Sequence, residues 1–182
     1  MRARPLVALL AVLAVVGLLG FGLLSKGTVK LAVGDPVPDR ALPVLGGRGQ
    51  GRIADYRGRW VLVNLWASWC PPCRREAPAL ERFWRSWRRR GLTVLGIDVQ
   101  DNSGDALAFA RRYGIDYPQL RSVGEERSAA FGSTGVPESF LVDPRGRLAL
   151  IWRGPLDERL LRERVVPIVA GPAGSAAAGG SR

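Results

Sequence analysis

Cys70 and Cys73 are the chain's two cysteines, and they stand as Cys-Pro-Pro-Cys at a junction between two contrasting patterns. Before them, WVLVNLW (60–66) is a short run rich in Val and Trp, of the kind buried on both faces of a sheet. After them, from Pro71 to Arg90, the apolar positions Leu80, Phe83, Trp84 and Trp87 follow helical spacing, with Arg82, Arg85 and Arg89 opposite. That spacing predicts an amphipathic helix whose aromatics belong to the core. A strand running through a cysteine pair into such a helix restricts the fold to an α/β arrangement.

The remaining patterns agree. LTVLGIDV (92–99) reads as a second buried strand, 104–113 as a second helix, YPQL (117–120) as a short strand and 125–131 as a third helix. SFLVD and LALIWR flank the turn DPRG and predict an antiparallel hairpin, followed by a final helix over 156–169. Strand–helix–strand units followed by a hairpin and a helix describe a central mixed sheet flanked by helices.

The ends differ from this middle. Residues 6–24 are continuously apolar, close to the ~20 residues that cross a bilayer as a helix, with Arg2 and Arg4 before them. The run is longer than the ~7–15-residue core of a cleaved signal, and its small-residue candidate, Gly20 and Gly22, lies inside it. No cysteine follows that could carry a lipid. We therefore expect an uncleaved single-pass anchor in a bacterial cytoplasmic membrane. Arg2 and Arg4 nearly tie with Lys26 and Lys30 in the positive-inside count, but a tail of residues 1–5 most simply stays in the cytoplasm. This expectation makes 25–33 a linker on the extracytoplasmic side, 34–170 the folded domain, and 171–182 a Gly/Ala/Ser tail with too little apolar surface to order itself.

Composition narrows the chemistry. Histidine is absent, which removes the commonest metal ligand together with the commonest general base. A net charge of +11, almost all from arginine, would suit a nucleic acid or anionic lipid, and equally a solvated surface; we read it as the latter and expect no nucleic-acid partner. With no His and no further Cys, only carboxylates could complete the four-ligand shell of structural zinc, a poor site, so no metal is expected. A structural disulfide closing so small a loop adds little stability. The Cys-x-x-C pair after a strand therefore points to redox chemistry.

The neighbours indicate how it would operate. With Cys70 as N-cap, Pro71 and Pro72 fill the first helical positions, where a missing N–H costs little. The first free backbone donor is then that of Cys73, within reach of the cap side chain. A Cys70 thiolate would accept that bond at the positive helix end, making Cys70 the nucleophile and Cys73, shielded one turn on, the resolving thiol. Glu76 lies one further turn along, with no Lys or Arg at helical spacing; it reads either as a modulator of thiol ionisation or as a solvated first-turn carboxylate. Pro78 should kink the helix. In GVPESF, Pro137 reads either as an edge residue or as a cis bond that frees the backbone of Val136 to pair with an extended substrate.

At NLWASWCPPCRREAP (64–78) the chain resembles the membrane-anchored thioredoxin-like proteins of cytochrome c maturation, the CcmG/DsbE, ResA and TlpA group. The resemblance spans roughly residues 34–167, opens with GDPVPD, and includes a helix-plus-strand insert at about 103–120. It implies a thioredoxin-like fold in which Cys70 and Cys73 are the catalytic pair, Glu76 an acidic active-site residue, Pro78 the helix kink and Pro137 a cis-proline. Trp69, Pro71, Pro72, Val136, Pro137 and Glu138 are expected to face the substrate, Glu138 being a mark of the CcmG-like branch. Asn64 stands where ordinary thioredoxins carry a buried Asp, so that proton relay is not assumed. The group implies a reductase of apocytochrome c haem-binding cysteines or of a haem-attachment component, without a cofactor and recharged by a membrane thiol–disulfide donor. Alternatives are a general extracytoplasmic disulfide oxidase or reductase and, less fitting, a thioredoxin-fold copper chaperone, which uses C-x-x-x-C plus a His. A peroxidase of related fold would not use WCPPC.

Overall fold

The computed structural model describes residues 12–17, 31–122 and 131–171. Two short strands, β1 (Leu42–Pro43) and β2 (Gln50–Gly51), pair antiparallel ahead of β3 (Trp60–Trp66). The cysteine pair then opens α1 (Pro71–Trp87), followed by β4 (Leu92–Val99), α2 (Ser103–Arg112) and β5 (Gln119–Ser122). A hairpin of β6 (Glu138–Val142) and β7 (Leu148–Arg153) leads to α3, built of three contiguous stretches, Glu158–Leu160, a π-helical Leu161–Val165, and Val166–Ala170.

The five-stranded sheet has the order β5-β4-β3-β6-β7, with β3, β4 and β5 parallel and β6 and β7 antiparallel. This is the thioredoxin-like α/β fold with a central mixed sheet. All seven residues of β3 are buried because both faces of the sheet are covered. Val61, Val63 and Leu65 point into one cluster with Val37, Ile53, Phe131 and Phe140. Trp60 and Leu62 point the other way, against Leu80 and Phe83 of α1 and Leu161 and Val165 of α3. Each such side chain contributes roughly 1.5–3 kcal/mol by leaving water. A third cluster joins Trp66, Cys70, Cys73 and Ala77 to Phe109 of α2, whose ring stacks on Trp66 at 4.6 Å. The pair therefore sits at the C-terminal end of the central strand, held from behind by packed aromatics.

Some expectations shift. The strand expected at 117–120 begins two residues later, because Tyr117 turns inward and is buried beneath Trp84 of α1. The π-helical turn in α3 precedes Pro167, which has no N–H for the Glu163 carbonyl and whose ring would crowd it; a widened turn relieves both. Pro78 lies inside α1, which continues through it. The helix expected at 125–131 falls almost wholly outside the described residues, as do the C-terminal tail and most of the apolar run. Of that run only 12–17 is described, as helix with exposed Val12, Leu13, Val15 and Val16. Among the described residues no helix is long and apolar enough to cross a membrane.

Candidate active site at the N-terminus of α1

Cys70 is the N-cap of α1, with Pro71 and Pro72 at its first two positions. The Cys73 N–H donates to Cys70 Sγ at 3.2 Å, and the two sulfurs are joined in a disulfide with the Cα atoms 5.3 Å apart. Fixed proline φ values and a cap that satisfies the first free donor explain why the chain turns into a helix here. The positive end of α1 thus points at the Cys70 sulfur and favours a thiolate there once the bond is reduced. In the disulfide state both cysteines are buried, Cys70 2% and Cys73 1% exposed. The packing that encloses the bond covers both sulfurs.

The residues before the pair are pinned from two sides. The Ser68 N–H donates to Asp101 Oδ2 at 2.6 Å, while Arg74 donates Nε and Nη2 to the Ser68 carbonyl at 3.1 and 2.9 Å. Trp69 is 51% exposed and gives its indole N–H to the Gln100 carbonyl at 3.0 Å. Gln100 has φ 53°, the left-handed turn that aims this carbonyl out of the β4–α2 loop. Pro71 is exposed and Pro72 half-buried beside it.

Val136–Pro137 is a cis peptide bond. Pro137 is buried, and half-buried Val136 packs against the cluster that holds both cysteines. Among the described residues the backbone of Val136 makes no hydrogen bond. Glu138 follows, but its carboxylate turns into the protein, where Oε1 accepts from the Thr134 N–H and hydroxyl at 3.1 and 2.7 Å and lies 3.3 Å from Arg153 Nε. The Glu138 side chain thus ties down the loop that carries Val136 and Pro137 while its backbone opens β6.

Glu76 is 2% exposed, which removes the solvated reading. Its Oε1 accepts from Asn64 Nδ2 at 3.0 Å and its Oε2 from the Leu156 N–H at 2.9 Å. Burial pushes its pKa up from 4.5 to about 7, and the two donors offset this only in part. Asn64 also donates to Ser139 Oγ at 3.1 Å, so this amide orders the carboxylate one turn beyond Cys73.

Another buried carboxylate escaped the sequence reading. Asp98, fully buried at the end of β4, pairs in register with Trp66 and has no hydrogen-bond partner for either oxygen among the described residues. Arg121 Nε stands 3.7 Å away. Burial first, and the neighbouring Asp101 second, raise the Asp98 pKa from 3.8 to about 7. The one acidic residue in the otherwise buried run LTVLGIDV was the available signal.

A disulfide between an N-cap cysteine and the cysteine one turn on, at a helix N-terminus, is the arrangement that thiol–disulfide exchange requires. Residues 33–151 match the AhpC/TSA family. The chain is 36% identical over 171 residues to the thiol:disulfide interchange protein DsbE of Allochromatium vinosum, covering 92% of this chain and 93% of the relative. It is 30% identical over 162 residues to the thiol-disulfide oxidoreductase ResA of Geobacillus thermodenitrificans, covering 89% and 92%. The crystal structure of a thioredoxin-family thiol:disulfide interchange protein from Chlorobium tepidum superposes with a TM-score of 0.67 at 30% identity, covering 78% of this chain and all of that one. The chain belongs to the AhpC/TSA family and, within it, to the thioredoxin-like thiol–disulfide oxidoreductases of the ResA, DsbE and HelX type.

Proposed function

We infer that this protein reduces disulfides of other proteins on the outer side of a bacterial cytoplasmic membrane, held there by residues 6–24. Its substrate in this reading is the haem-binding cysteine pair of an apocytochrome c, or a component that handles it. The Cys70–Cys73 pair at the N-terminus of α1 carries the proposal, and the kinship with DsbE and ResA supports the substrate class.

In this reading the exchange runs in two steps. In the reduced domain the Cys70 thiolate attacks one sulfur of the substrate disulfide; a mixed disulfide forms and one substrate thiolate leaves. Cys73 then gives up its proton, for which the buried Glu76 carboxylate is the acceptor, and attacks Cys70 Sγ. The second substrate thiol is released, the substrate has gained two electrons, and the protein is left with its Cys70–Cys73 disulfide. A membrane thiol–disulfide donor returns the pair to the dithiol. During the attack the open backbone of Val136 aligns the substrate strand, and exposed Trp69 and Pro71, with half-buried Pro72, form the surface it meets.

The reduced full chain should reduce an oxidised C-x-x-C-H peptide stoichiometrically and lose this ability in Cys70→Ser. A reduction potential near that of strong protein oxidants, about −120 mV, would instead assign it net oxidation of exported proteins. The anchor is tested separately, since a chain held by residues 6–24 resists alkaline carbonate extraction of membranes.

A further inference from the structure

Beside the pair, against Trp69, lies a groove of about 430 Å³, within the ~300–1,000 Å³ range of ligand clefts. One wall is the segment leading into Cys70, with half-exposed Trp69, together with exposed Arg74 in the first turn of α1. The other is α2, which contributes Asp105, Phe109, Arg112 and Tyr113. The floor is aromatic and rigid, since Phe109 lies between Trp66 at 4.6 Å and Tyr113 at 4.7 Å.

The charges at its rim are unequal. The Asp105 carboxylate is engaged by the Asn102 side-chain amide as part of the α2 cap. The Arg112 guanidinium makes no hydrogen bond or ion pair among the described residues. Arg74 spends Nε and Nη2 on the Ser68 carbonyl, which fixes its guanidinium at the rim and leaves Nη1 without a partner among the described residues. Two cations above an aromatic floor beside the cysteine pair match a polypeptide with an acidic side chain close to its cysteine. The helix dipole alone accounts for a cation at the end of α2, but not for a second one held on the facing wall.

We propose that this groove binds the stretch of the protein substrate flanking its disulfide and selects for Asp or Glu there, with Arg74 and Arg112 as the selecting residues. The proposal rests on the exchange reaction inferred above. It adds a second contact to the one at Val136.

The test uses the full chain, reduced with dithiothreitol, and three oxidants: two peptide disulfides identical except for Glu or Lys near the cysteines, and the small neutral hydroxyethyl disulfide. The Glu peptide should be reduced about fivefold faster than the Lys peptide, with the gap narrowing in high salt. Arg112→Glu should abolish or invert the preference, and Arg112→Lys should restore most of it. Equal rates for both peptides in the unaltered protein, alongside normal reduction of the small disulfide, would overturn the groove and leave the exchange reaction standing. No reduction of any of the three would overturn the exchange reaction and the groove with it.

Discussion

Asn64 and Glu76 meet at 3.0 Å across the interface between β3 and α1, the amide donating to a carboxylate that the fold almost completely encloses. Asn64 cannot ionise, so of this hydrogen-bonded pair it is Glu76 that can hold a proton, with its pKa near 7. Glu76→Gln keeps the hydrogen-bonding size but removes the titration. We expect the variant to fold and its exchange rate to lose the step that the unaltered protein shows near pH 7. An unchanged pH–rate profile would confine Glu76 to a structural role.

The same ionisation bears on stability. Glu76 and Asp98 both have folded-state pKa values near 7, above their ordinary 4.5 and 3.8. Between those values the native state retains protons that the unfolded chain has lost, so stability is full at low pH and falls as pH rises toward 7. The loss from Glu76 is on the order of 3 kcal/mol at most. Urea midpoints measured from pH 5 to 8 should decline, and Glu76→Gln and Asp98→Asn should each flatten part of that decline. Parallel slopes in all three proteins would contradict it.

Cys70 accepts the first free N–H of α1, whereas Cys73 supplies it. In the reduced domain Cys70 should therefore be the more acidic thiol and the first to react with iodoacetamide, as peptide mapping of partly alkylated protein would reveal. Preferential labelling of Cys73 would reverse the assigned roles.

Leu80 is completely buried in the cluster that joins α1 to β4 and α3. Leu80→Ala should cost about 2–5 kcal/mol by loss of transfer energy and creation of a cavity. Arg89→Ala on the exposed side of the chain should stay within about 0.5 kcal/mol. Chemical denaturation of the two variants checks both values.

Much of this was legible in the chain itself, and for local reasons. The second strand lies where LTVLGIDV placed it, because an eight-residue apolar run between Gly91 and a polar loop has few other ways to fold. Helix α1 ends at Trp87, before the expected Arg90, since Arg88–Arg90 add no residue to the buried face and Gly91 takes φ 81°. The cysteine cap was legible because Cys70, Pro71, Pro72 and Cys73 are consecutive. The burial of Glu76 was not, because its partners Asn64 and Leu156 are 12 and 80 residues away and only the assembled sheet brings them together. The two-residue strands β1 and β2 are too short for any period to appear, and the groove along α2 exists only once that helix packs on Trp66.

Exchange through Cys70, resolved by Cys73, is the centre of this account, and trapping tests it most directly. Cys73→Ser leaves the attacking thiolate at the helix end and removes the thiol that would break the mixed disulfide. Expressed in cells, this variant should accumulate disulfide-linked adducts on non-reducing gels, with an apocytochrome c or a haem-attachment component identified in them by mass spectrometry. Cys70→Ser should trap far less. Adducts drawn only from unrelated exported proteins would contradict the cytochrome reading, and a well-folded Cys73→Ser protein that forms no adduct would contradict the exchange mechanism itself.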